Sequence, residues 1–193
     1  MATKIFLVED SEVTRTAVQH LLKRIDGMEV VGTASDGQSA VEAVLGSAPD
    51  VVLMDIGLPV LDGIEATKQI RSGNPNIKVL MVTASKTDHD TCAAFAAGAN
   101  GYIVKESINP ERLETAVRSV AKGDGWLDAQ IAQYVLDVAV QVHQFTHDLE
   151  PLSSSERETL EQVAHNPGCT GDTCSVDPDF FRRLHRFSKT LKS

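Results

Sequence analysis

Three carboxylates, a hydroxyl and an ammonium stand directly after short β-branched runs of the chain: Glu9 and Asp10, Asp55, Thr83 and Lys105. Acids brought together repel one another unless a cation sits among them, and an all-oxygen donor set favours a hard divalent ion such as Mg²⁺. Such a centre suits phosphate-bearing substrates, because a carboxylate beside the ion can attack a phosphoryl group and form an acyl phosphate. Asp55 is the candidate nucleophile, with Gly57 and Pro59 in the loop beyond it. Thr83 can donate a hydrogen bond to a phosphoryl oxygen and Lys105 can pair with its charge. Both are expected to be satisfied only when phosphate arrives. Taken singly, an acid after a strand caps a helix and Lys105 is a solvated charge; their joint occurrence at successive strand ends is what argues for a site.

These groups can meet only if the chain between them alternates strand and helix. The runs Lys4 to Val8, Glu29 to Ala34, Val51 to Met54, Lys78 to Val82 and Gly101 to Val104 read as strands. Between them, Val13, Ala17, Leu21 and Leu22, then Ala40, Val41, Val44 and Leu45, then Ile64, Thr67 and Ile70 recur at helical spacing. Ser11 and Asp62 read as helix caps, and Asn109 before Pro110 as the cap and first-turn proline of a fifth helix. Right-handed crossovers then require an α/β fold, a five-stranded parallel, doubly wound sheet of flavodoxin-like type. In an open sheet of that kind ligands bind at the carboxyl ends of the strands, which is where the five chemical groups fall.

Composition narrows the class further. The chain has 193 residues, 42% hydrophobic and 23% charged, with 18 Lys+Arg against 27 Asp+Glu and a formal charge of −9. An acidic balance excludes binding of nucleic acid or anionic lipid by overall field, so any such contact must be a local patch. The apolar runs are short and the start leads straight into a strand, so neither a signal peptide nor a membrane span is expected, and the cytoplasm is the expected compartment. Three scattered cysteines, Cys92, Cys169 and Cys174, are too few for a disulfide framework. Cys92 is expected in the core of an Ala-rich helix.

Ile5-Phe6-Leu7-Val8-Glu9-Asp10, Val52-Leu53-Met54-Asp55-Ile56-Gly57-Leu58-Pro59, Asp62-Gly63, Val82-Thr83-Ala84, Gly98-Ala99 and Gly101-Tyr102-Ile103-Val104-Lys105 together resemble the response-regulator receiver domain of two-component signalling. The resemblance spans residues 1 to about 122. It implies that Asp55 accepts phosphate from a histidine kinase, and that Glu9, Asp10 and Asp55, with the Gly57 carbonyl, hold Mg²⁺. It further implies that Thr83 turns toward the phosphate while the aromatic Tyr102 moves inward, remodelling the surface of the fourth helix, fifth strand and fifth helix. Glu106 stands where many receivers place a proline. The resemblance makes the chain a signalling switch rather than an enzyme; the rival from another class, a metal-dependent phosphatase or phosphotransferase, would need a second acid as general base near Asp55.

The domain reading is a receiver over 1–122, a linker helix over 123–150 and a small all-α output domain over 151–193. Trp126 to Phe145 lacks Pro, Gly, Lys and Arg, and reads as one long helix with Asp128, Gln130, Gln133, Asp137, Gln141 and Gln144 on its polar face. Its apolar stripe either packs on the receiver or pairs with a second copy as a homodimer. Leu152-Ser153-Ser154-Ser155-Glu156-Arg157-Glu158-Thr159-Leu160 resembles the opening of the helix-turn-helix domain of NarL/FixJ (LuxR-like) transcriptional regulators, and suggests a helix ending near Asn166. Pro167 to Val176 then reads as loop, and a last helix carries Arg182, Arg183, Arg186, Lys189 and Lys192. Residues 151–193 hold six basic and six acidic side chains, so DNA binding and a protein-protein adaptor with a degenerate output domain both stand. His165, Cys169, Cys174 and His185 are donors that zinc accepts, but at loose spacing; unliganded loop and helix residues are the plainer reading. His143 and His147 read as exposed polar-face residues.

Overall fold

The computed structural model describes residues 2–84, 88–129 and 131–133, together with 154, 157, 158, 161, 175 and 176. Strands β1 (Thr3–Val8), β2 (Met28–Ala34), β3 (Val51–Met54), β4 (Lys78–Thr83) and β5 (Gly101–Val104) alternate with helices α1 (Glu12–Lys23), α2 (Gly37–Ser47), α3 (Gly63–Gly73), α4 (Asp88–Ala97) and α5 (Pro110–Lys122). Two further strands follow, β6 (Gly125–Leu127) and β7 (Ser175–Val176). The sheet order is β2-β1-β3-β4-β5-β6-β7. All neighbouring pairs are parallel except the last, where β7 runs antiparallel to β6.

The central strands are uniformly apolar because both of their faces are covered, the pattern of a parallel sheet. Val51 to Met54 and Gly101 to Val104 are buried along their whole length. One core layer joins Phe6, Val52, Met81, Tyr102 and Val104 to α2, α3 and α4, and the opposite layer joins Ile5, Leu7, Leu53, Val82 and Ile103 to α1 and α5. The expected caps form. Ser11 accepts from the Thr14 N–H, Asp62 from Ile64 and Glu65, and Asn109 from Arg112 with Pro110 in the first turn. Each satisfies a helix-end donor and fixes where the chain turns from strand end to helix.

Four local expectations are corrected. In α1 the stripe is displaced by a residue: Val18 and Leu22 are buried, while Ala17 is exposed and Val13 is 81% exposed. The first turn of α1 faces solvent, so the periodicity there does not report burial. Leu45 of α2 is 38% exposed rather than core. Trp126 and Leu127 are not helical. The left-handed Gly123 (φ 100°) ends α5, and the chain then lays β6 along the open edge of β5, pairing Gly101 with Trp126 and Tyr102 with Leu127. Trp126 is thereby buried on the α5 side and Leu127 on the other, so six parallel strands stand where five were expected. Ser175 and Val176, read as loop, pair with β6.

Helical backbone begins at Ala129 and covers 131–133, and positions 154, 157, 158 and 161 are helical as expected. Ile131 and Ala132 lie buried in the same core layer as Tyr102, so the start of this helix packs against the sheet. His143, His147, His165, Cys169, Cys174, His185 and the last basic helix lie outside the described residues. Cys92 is only half-buried rather than core. Among the described residues no helix is long and apolar enough to cross a membrane.

Candidate functional site

The carboxyl edge of the sheet is built by backbone continuity. The Glu9 N–H extends the β1–β2 ladder by donating to the Ala34 carbonyl at 3.0 Å, and the Asp55 N–H donates to the Val8 carbonyl at 3.1 Å. These bonds place the two side chains over neighbouring strand ends. Behind Asp55 the loop returns tightly: a Cβ on Gly63 would lie 1.8 Å from the Asp55 carbonyl oxygen. Only a residue without a side chain lets α3 start that close, so Gly63 sets the position of Asp55 from below.

Glu9, Asp10 and Asp55 each offer a carboxylate oxygen within 4.8 Å of the others, with Glu9 and Asp55 buried and Asp10 exposed. The Lys105 ammonium lies between two of them, 2.6 Å from Glu9 Oε2 and 2.8 Å from Asp55 Oδ2. It is therefore already paired, against the expectation that it waits for phosphate; two buried acids without a counter-charge would be costly, and the nearest cation fills that role. The other Asp55 oxygen accepts from the Ile56 N–H at 2.8 Å, and Glu9 Oε1 accepts from the Ser11 N–H at 3.2 Å. Arg15, which the sequence did not single out, donates to the Glu9 carbonyl at 2.7 Å and braces the loop from α1.

Burial pushes the Glu9 carboxyl above its ordinary value; the hydrogen bond and charge of Lys105 oppose this, the Asp55 charge adds to it, and the net direction is upward. Burial alone would lower Lys105, but its hydrogen bonds to Asp55 and Glu9, with their charges, outweigh that and hold the ammonium above its ordinary value. The site thus keeps a permanent cation beside its acids.

Thr83, at the end of β4, is buried, and its Cα pairs with Val104 across the ladder. Tyr102 is fully buried in β5, its ring 6.4 Å from that of Phe95 on α4 in a tilted arrangement. Gly57 lies exposed in the loop two residues beyond Asp55. The described residues contain no cis peptide, Lys105 to Glu106 included, and Lys105–Ser107 forms a single 3-10 turn. Every group singled out at the strand ends is thus at the same edge, as a parallel open sheet demands.

One cluster was not anticipated. Asp128, assigned from the sequence to a polar helix face, is 4% exposed and pairs with the buried Arg112 of α5 at 3.1 Å. Its second oxygen accepts from the Val104 N–H at 3.3 Å and from the Ser107 hydroxyl. A carboxylate just ahead of a helical run was the available signal, but its partners are remote in sequence.

A doubly wound sheet whose edge gathers three acids and a lysine defines an α/β domain with a candidate metal site at its carboxyl edge, and comparison with known proteins gives the family. Residues 5–118 match the response regulator receiver domain, and the chain belongs to that family. Response regulator GacA of Pseudomonas aeruginosa is 36% identical over 162 residues, which cover 84% of this chain and 75% of that protein. Response regulator UvrY of Escherichia coli K12 is 32% identical over 82% of this chain and 72% of its own length. Among solved structures, a LuxR-family two-component response regulator from Aurantimonas sp. superposes with a TM-score of 0.68 at 33% identity, covering 72% of this chain and 99% of that one. The protein is a two-component response regulator related to the LuxR-family transcriptional regulators.

Proposed function

We propose that Asp55 is the phosphoacceptor of this regulator, loaded by a histidine kinase, and that the loaded state controls a transcriptional output through the C-terminal segment. The convergence of Asp55, Glu9, Asp10 and Lys105 on one point carries this reading. The donor set is all carboxylate oxygen, which fits Mg²⁺. Glu9, Asp10 and Asp55, with the Gly57 carbonyl, would hold the ion, which when bound neutralises charge on the transferred phosphoryl oxygens.

In the transfer, a carboxylate oxygen of Asp55 attacks phosphorus while the phosphorus–nitrogen bond to the kinase histidine breaks, and the leaving imidazole takes up a proton. Lys105 re-pairs with a phosphoryl oxygen and the Thr83 hydroxyl donates to another. Tyr102 is buried, and the proposed switch is a population shift in which the phosphate, through Thr83, favours that inward position. The acyl phosphate hydrolyses slowly in place; the protein turns over no separate substrate and is not an enzyme in the usual sense.

Lys105 competes with the metal for the same oxygens. Lys105→Met is expected to tighten Mg²⁺ binding by about tenfold, equivalent to about 1.4 kcal/mol, while slowing phosphoryl transfer by a similar factor. Isothermal titration and rates of labelling by acetyl phosphate check the two halves; an unchanged metal affinity would contradict the competition.

For the output we propose DNA, in the cytoplasm, bound as a homodimer. The support is the resemblance of residues 152–160 to a helix-turn-helix opening and the similarity of the receiver, 28% identical with a TM-score of 0.59, to a structure described as a DNA-binding response regulator of the LuxR family from Staphylococcus aureus. The proposed boundaries are 1–122, 123–150 and 151–193. Anisotropy of a random duplex pool, with and without acetyl phosphate and Mg²⁺, tests this. The expected result is tighter binding on phosphorylation, with affinity falling about tenfold or more between 50 and 200 mM salt. No binding in either state, with phosphorylation-dependent capture of one protein partner, would establish the adaptor instead.

A further inference from the structure

The Asp128 carboxylate joins three places on the receiver: the last amide of β5, at Val104; the 3-10 turn that begins at Lys105, through Ser107; and α5, through Arg112. Its main chain joins a fourth, because its own N–H donates to the Tyr102 carbonyl at 3.0 Å and its carbonyl accepts from Ile131 and Ala132 at 2.9 Å. Asp128 is therefore the residue at which the helix leaving the receiver starts. The bonds to Val104 and Arg112 are buried and that to Ser107 part-buried, and the carboxylate is buried with its counter-charge.

The same turn carries the Lys105 ammonium into the acidic site. Lys105 now holds Glu9 and Asp55 directly. A phosphoryl group on Asp55 puts its oxygens a bond length or more farther from the carboxylate, and Lys105 must follow them to stay paired. Val104 and Ser107 lie one residue before and two after Lys105, so a displacement of the turn acts at once on both donors to Asp128. Leu127 and Ile131, either side of that carboxylate, share a core layer with Tyr102, so the two changes reach the same helix start from side chain and main chain.

We propose that Asp128 is a positioning residue through which the loading of Asp55 is passed to the first turn of the outgoing helix, by way of the Ser107 hydroxyl and the Val104 amide. This rests on the phosphoacceptor reading of Asp55. It is a role in coupling, distinct from holding metal or phosphate. The element it biases is the helix start at 129 and 131–133, whose two amides on the Asp128 carbonyl, those of Ile131 and Ala132, report its state.

Hydrogen exchange of the full chain, with and without acetyl phosphate and Mg²⁺, tests it, the phosphoryl adduct being quantified by intact mass in the same samples. In the wild type, loading is expected to change exchange at residues 131–132 by about fivefold or more. Ser107→Ala, which leaves the Arg112–Asp128 pair in place, is expected to take up the same adduct and lose most of that change; Arg112→Met combined with Asp128→Leu, which removes the acceptor and its counter-charge together, should do the same. A purely structural role would alter exchange equally in the loaded and unloaded samples and leave the difference intact, which would overturn the proposal. Loaded wild type without any change at 131–132 would overturn it as well. Wild type that takes no adduct would instead overturn the phosphoacceptor reading, and the coupling with it. Should the double variant not fold, Ser107→Ala decides alone.

Discussion

Asp55→Asn is expected to lose phosphoryl labelling by acetyl phosphate and Mg²⁺ by at least about a hundredfold, because an amide oxygen is a far weaker nucleophile toward phosphorus than a carboxylate. The surrounding architecture makes the loss interpretable. The Asp55 backbone is held by Val8 and by the close approach of Gly63, neither of which depends on the side-chain charge. Lys105 retains Glu9 as a partner at 2.6 Å. Removing one of two facing acids also relieves their mutual repulsion, which offsets part of the lost ion pair. The variant should therefore stay folded, with a melting temperature within about 4 °C of wild type. Intact-mass spectrometry and circular dichroism read the two quantities. Persistent adduct on a folded Asp55→Asn protein would move the acceptor to another residue and end the assignment.

The second large effect concerns stability. Asp128→Ala is expected to destabilise the receiver by about 3–5 kcal/mol, the usual cost of stranding one partner of a buried ion pair. Arg112 loses its buried carboxylate partner and the Val104 N–H loses an acceptor, while the Ser107 hydroxyl keeps the Val104 carbonyl as its one acceptor. Arg112→Met should cost less, about 1–3 kcal/mol, because the Asp128 carboxylate keeps two hydrogen-bond donors. Arg112→Met combined with Asp128→Leu should recover much of the loss, since an apolar pair can replace a buried ionic one. Urea unfolding of the four proteins forms a double-mutant cycle. Equal costs for the two single variants would contradict the asymmetry argued here.

The placement of Glu9, Asp10, Asp55, Thr83 and Lys105 was legible before any coordinates. Strand-forming runs of four to seven residues carry their own signal, and a parallel sheet with right-handed crossovers leaves one edge for the residues that follow them. The caps at Ser11, Asp62 and Asn109 were legible for the same reason: each bond spans two or three residues, so its partners are in view of one another along the chain. Interactions of that reach are properties of local sequence.

Tertiary structure alone decided the rest. A strand of three residues, Gly125–Leu127, is too short for a period of two to stand out from a helical one, and what selects it is the vacant edge of β5. Which face of α1 is buried was decided by the core layer in which Val18 and Leu22 join Ile5 and Leu7. Asp128 meets Arg112, Ser107 and Val104 across 16, 21 and 24 positions, and Lys105 meets Asp55 across 50. Residue type showed that these charges existed; only the packed sheet brought the acid at the helix start inward and set the lysine between its two carboxylates, because low dielectric and nearby opposite charge arise together when the chain closes around them.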